Sequence, residues 1–206
     1  MTSDPPDQAE TFRFLADART HGLSEPVGRI DTANAVVFLA GSDAYKVKRA
    51  VRFPFMDLST LEKRRLACEA EIAVNRDNAP RIYLEALPIV RHRETFAIGG
   101  EGQIVEWAVH MRRFDENATL DRTAERGELS DAIIDKLALA IRRSNACAPL
   151  RDAVRAARAI ETYIEQNDAA FAERPDLFPS ARARRLTQDS RLAFAIARPV
   201  LLARGA

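Results

Sequence analysis

The chain has 206 residues, of which 47% are hydrophobic and 30% charged, and its formal net charge is +1. Those proportions describe a globular protein rather than a disordered one, and the near-neutral balance argues against a dedicated nucleic-acid binder, which would carry a clear basic excess. There is no apolar run of 18 residues and no basic-then-apolar start, so neither a membrane span nor a signal peptide is expected.

Taken in chain order, the opening MTSDPPDQAE is polar and is expected to fray over residues 1–9. AETFRFLADARTHG predicts one short amphipathic helix ended by Gly22. VGRIDT, AVVFLAG and AYKVKRAV then read as three short strands of an antiparallel meander. Ser59 with Glu62 fits a capping box that opens a helix over about 60–76, with Leu61, Cys68 and Ile72 on one stripe. RIYLEALPIVRH, TFAIGGEG and QIVEWAVHMRRF give two or three further strands, with Gly99, Gly100 and Gly102 at a tight turn. After Phe114 only helical spacing is seen, in segments beginning near 118, 130, 151 and 180. The domain boundary is therefore expected near residue 115. Cys68 and Cys147 both fall in helical patterns, which favours a reduced, cytoplasmic setting. The basic clusters at 63–65 and 182–185 read as solvated helix faces, and His21, His92 and His110 as surface or strand residues.

The usage of basic residues is uneven. Of 31 Lys and Arg residues only four are lysine, Lys46, Lys48, Lys63 and Lys136, and two of these share one strand. Alternation along a strand puts Ala44, Lys46 and Lys48 on one face and Tyr45 and Val47 on the other. A strand lysine that grips phosphate needs a carboxylate nearby, and the following helix offers Glu69 and Glu71. At about 100° per residue only one of these faces the strand, and spacing alone does not choose between them. The competing expectation is that the lysines are exposed sheet residues and the glutamates make pairs along their own helix.

The stretches VFLAGSDAYKVKRAVRFPFMDLSTLEKRRLACEAEIAVNR, IYLEALPI and VEWAVHMRRF resemble the N-terminal part of a bacterial aminoglycoside-phosphotransferase-like family, often fused to a P-loop kinase domain. The likeness runs from about residue 10 to residue 206. It implies an α+β, protein-kinase-like small lobe over 10–114, with a five-stranded antiparallel sheet and one helix, and an incomplete helical lobe over 115–206. It further implies that Lys46 binds the nucleotide phosphates, that Glu71 is its partner, and that Ala44 roofs the adenine. Met111, Arg112, Arg113 and Phe114 would form the hinge that reads the base. ATP and magnesium are the implied cofactors of the complete enzyme. The sequence departs from the family in three places. The turn DTANA lacks the glycines of a phosphate lid, and Ser144 and Asn145 replace a Phe-His pair. No His-Gly-Asp-x-His loop or P-loop occurs, so the chain is expected to contribute the phosphate-binding lysine and the hinge without transferring phosphate by itself. The alternative is a non-catalytic module that binds nucleotide or a protein. Leu192, Phe194, Ile196, Leu201 and Leu202 would then face a missing lobe or a second copy.

Overall fold

The computed structural model describes residues 8–150 and 152–204. Six strands form one antiparallel sheet: β1 (Gly28–Asp31), β2 (Ala35–Ala40), β3 (Asp43–Lys48), β6 (Tyr83–His92), β7 (Thr95–Ile98) and β8 (Gln103–Arg112), in the order β1-β2-β3-β8-β6-β7. The expected sheet had five strands. The sixth arises because TFAI forms its own hairpin arm on β6, with Ile89 opposite Ile98 and His92 opposite Thr95. A separate hairpin of β4 (Arg52–Phe53) and β5 (Met56–Asp57) was not foreseen, since each arm is only two residues long.

The connection from β7 to β8 must cross the end of β6, because those two strands flank it. Gly102 makes this possible: its φ is 150°, and a Cβ there would lie 2.9 Å from the carbonyl oxygen of Arg91. The glycine turn expected at 99–102 therefore has a steric cause.

Helices cover both faces of the sheet. The first expected helix is two pieces, α1 (Ala9–Ala16) and a 3₁₀ turn over Ala18–His21. The break is at Asp17, which is extended and whose side chain caps the 3₁₀ turn; Gly22, at φ 66°, ends it. Phe12 and Leu15 of α1 pack with Val36, Phe38, Val47, Ile89 and Ala108. On the other face α2 (Leu61–Asn75) packs Cys68 and Ile72 on Val109, with Tyr83, Ala86, Trp107 and Met111 around them. Its cap is Thr60, whose hydroxyl accepts from the Lys63 amide at 3.3 Å; Ser59 instead donates its hydroxyl to Asp57 at 2.6 Å. The capping box expected from Ser59 and Glu62 is thus not formed: the cap is the next residue, Thr60, and Glu62 accepts from Arg65 instead.

The two layers are tied by a buried polar cluster. The β3–β8 ladder ends at Val47 opposite Ala108, so the next part of β8 has no strand on that side. Glu106 fills the gap. It is 1% exposed and accepts from both sides of its carboxylate: Arg64 Nε at 2.9 Å to each oxygen, Gln8 Nε2 at 2.6 Å and the Trp107 amide at 2.9 Å. Gln8 also donates to the Lys48 carbonyl at 2.8 Å and accepts from the Ala50 amide at 2.8 Å. Residues 1–7 lie outside the described residues, but Gln8, at the end of the stretch expected to fray, is fully buried. Arg64, assigned from sequence to a solvated face, is 3% exposed; Arg182, Arg184 and Arg185 are indeed exposed.

The chain divides into two compact units, 1–137 and 138–206. After β8 come a short 3₁₀ turn, α3 (Leu120–Glu125) and α4 (Asp131–Cys147), and the division falls inside α4. In the second unit α5 (Ala153–Glu173) and α6 (Ser180–Ala203) form a helical hairpin. Phe171 meets Phe178 across its turn, and Thr187 donates to Asp168 at 2.8 Å. Leu192 and Ile196 of α6 are exposed as expected, whereas Phe194, Leu201 and Leu202 are partly covered. Among the described residues no helix is long and apolar enough to cross a membrane.

Removing Arg64 leaves the Glu106 charge buried with two neutral donors. Arg64→Ala should therefore lower the urea-unfolding free energy by about 3–5 kcal/mol, while Arg64→Met with Glu106→Leu should cost far less. A single-mutant loss below about 1 kcal/mol, the scale of an exposed pair, would show that this carboxylate is solvated.

Candidate functional site

The lysines and the helix glutamate come together. Lys46 Nζ donates to Glu71 Oε1 at 2.8 Å, and Lys48 Nζ donates to Oε2 of the same carboxylate. The helix directs this choice. Arg64, Cys68 and Ile72 form the buried stripe of α2, and Glu71 sits beside Ile72 on the edge that overlooks β3. Glu69 points outward and accepts from Arg65 at 2.6 Å. Of the two carboxylates that spacing left open, Glu71 is the partner.

The two lysines are not equivalent. The Lys48 side chain is 10% exposed and Lys46 28%, with Glu71 at 12%. Lys48 belongs to the interior; Lys46 reaches the edge of the solvent. Burial pushes the Glu71 carboxyl up, but the hydrogen bonds and charges of Lys46 and Lys48 outweigh burial, and its pKa falls below the ordinary 4.5. Burial pushes the neighbouring Cys68 thiol up to about 12, so it stays neutral and adds no charge. Two lysines thus stand against one carboxylate.

The surroundings suit a flat apolar group beside a charge. Register places Val37 opposite Lys46 and Leu39 opposite Ala44, and on the far side of β3 Val109 and Met111 take the same two levels. Ala44 is buried, while Val37 and Leu39 are half-buried. The expected hinge residues end β8 and continue past it. The amides of Arg112 and Arg113 are already committed, donating to Ile82 O and Ser42 O at 2.8 Å each. Phe114 is half-exposed, and with Gly41, Ser42, Arg113 and residues 115–117 it lines a shallow pocket of about 410 Å³. Neither Lys46 nor Ala44 lines that pocket. Among the described residues no three His, Cys, Asp or Glu side chains gather as a metal site.

Sequence reasoning missed the shared carboxylate, giving the phosphate role to Lys46 and no role to Lys48. The signal was present in the spacing, since both lysines lie on one strand face and only one glutamate can face them. It also missed a cluster on the opposite sheet face. There the His110 ring stacks on Tyr45 at 4.9 Å, its Nε2 lies 2.9 Å from Asp43 Oδ1, and the His21 ring lies 5.2 Å from that of Tyr45. No local pattern links residues 21, 45 and 110.

Because the Glu71 carboxyl is depressed in the fold, its contribution to stability is fully present above 4.5 and is lost as pH falls through the folded value. The stability difference between the native chain and Glu71→Gln should therefore be constant near neutral pH and shrink under acid. Urea unfolding across pH checks this, and a pH-independent difference would mean that Glu71 titrates normally. Set against known protein families, curated proteins and solved structures, the chain matches none, so the chemistry of this site rests on its own geometry.

Proposed function

We propose that residues 8–137 form a nucleotide-phosphate-binding small lobe of the protein-kinase-like kind, in which Lys46 is the phosphate ligand and Glu71 holds it. The observation that carries this is the Lys46–Glu71 pair, 2.8 Å long, between the third strand and the helix that follows it. Support comes also from the sheet order, which sets β3 against the last strand and brings Ala44 level with Met111. In such a lobe the lysine orients and neutralises phosphate, and the glutamate keeps the desolvated ammonium charged. The half-buried Val37 and Leu39 offer the base an apolar bed on the same face.

Transfer of phosphate needs more than this. ATP would supply the phosphoryl group, and magnesium would supply charge neutralisation. The sequence holds no His-Gly-Asp loop to provide a base. The chain is accordingly a nucleotide-binding portion of an aminoglycoside-phosphotransferase-like enzyme, without transfer activity of its own.

ATP or ADP should raise the melting temperature of the 206-residue chain, and Lys46→Ala should abolish the rise without unfolding the protein. A coupled assay should detect no turnover. An unchanged shift in Lys46→Ala would remove Lys46 from the site, and Lys46-dependent turnover would show that a base lies elsewhere in the chain.

A further inference from the structure

An isolated lysine–glutamate pair is neutral, yet here one carboxylate serves two ammoniums, one on each oxygen. The neighbouring charges do not alter that count: Glu106 is held by Arg64, Glu69 by Arg65, and Cys68 is a neutral thiol. We propose that Lys48 is a positioning residue that keeps Glu71 paired, so that Lys46 presents a surplus positive charge and the site prefers nucleotide di- and triphosphates to monophosphates. This rests on the phosphate-binding assignment of Lys46 and deepens it.

The physical case lies in what happens when phosphate arrives. If Lys46 were the only partner of Glu71, turning its ammonium toward a ligand would strip a largely buried carboxylate of its counter-charge, which is costly. With Lys48 on the other oxygen, Glu71 stays paired while Lys46 moves. The inner lysine is well placed for this. It is the less exposed of the two, and its backbone carbonyl is pinned by Gln8, which the Glu106 carboxylate holds in turn. Opposite it, Arg64 anchors α2 two turns before Glu71. Lys46 carries the greater exposure and the freedom that goes with it. A ligand with several negative charges gains most from such a site, and salt should weaken that gain.

The test is calorimetric titration of the full chain with ATP, AMP and inorganic tripolyphosphate, in the native protein, Lys46→Met, Lys48→Met, and Lys48→Met combined with Glu71→Gln. Circular dichroism confirms folding beforehand. The native chain should bind ATP and tripolyphosphate more tightly than AMP, and salt should narrow the difference. Lys48→Met should weaken ATP and tripolyphosphate by about 10- to 100-fold, the scale of one hydrogen bond to a charged group, and AMP much less. Adding Glu71→Gln removes the charge that Lys48 balanced and should recover part of the lost ATP affinity, short of the native level because Glu71 no longer holds Lys46; a merely structural role for Lys48 would give no recovery. If Lys48→Met does not fold, Lys48→Gln takes its place with the same expectations. ATP affinity unchanged by the Lys48 variant, or no recovery on adding Glu71→Gln, overturns the proposal. Native binding that Lys46→Met leaves intact, or no binding at all, overturns the phosphate assignment itself and this inference with it.

Discussion

The Glu106 carboxylate is the group on which the arrangement depends. Burying a charge is costly unless it is paired and its remaining lone pairs are filled. Here both oxygens of a 1% exposed carboxylate are filled by donors from three places: Arg64 on α2, Gln8 before α1, and the adjacent Trp107 amide. The Trp107 amide is satisfied by a side chain because β3 has already left the ladder. One buried charge therefore fixes where α1 begins, where α2 lies and where β3 ends.

The functional geometry follows from that fixation. With α2 anchored at Arg64, its stripe of Cys68 and Ile72 sits on Val109, and Glu71 is delivered over the lysine face of β3. The two carboxylates are satisfied differently. Arg64 spans both oxygens of Glu106 from one nitrogen, Nε, while its Nη1 donates to the Leu58 carbonyl at 3.2 Å. Each lysine takes a single oxygen of Glu71.

The opposite face of the sheet is organised differently. Phe12 and Phe38 meet at 5.9 Å, and the guanidinium groups of Arg29 and Arg49 lie near the Phe12 ring. Arg49 is buried, donates to the Thr32 carbonyl at 3.1 Å and pairs with Asp31. The Asn34 carbonyl accepts from the Arg49 amide at 2.8 Å. The glycine-free turn between β1 and β2 is therefore held by Arg49 and, from within, by the Thr32 hydroxyl, which accepts from the Ala35 amide at 3.0 Å. A turn built this way is positioned by hydrogen bonds rather than left free by glycine.

The sequence by itself determined the local elements and their faces. Alternation placed Ala44, Lys46 and Lys48 together on β3, the 3.6-residue period placed Cys68 and Ile72 on one stripe, and helical spacing after Phe114 predicted α3 to α6. These features depend on neighbours within a few positions, so they are legible in one chain. Tertiary structure decided what separated residues do to one another. It selected Glu71 over Glu69, because only packing of α2 on β8 sets the rotation of that helix. It turned Arg64 from a surface residue into a buried one, because its partner lies 42 residues away. It gave TFAI a strand of its own, because pairing depends on β6, and it drew Gln8 into the interior through contacts with Lys48 and Glu106. Periodicity reports which way a side chain points, and only the fold supplies what it meets there.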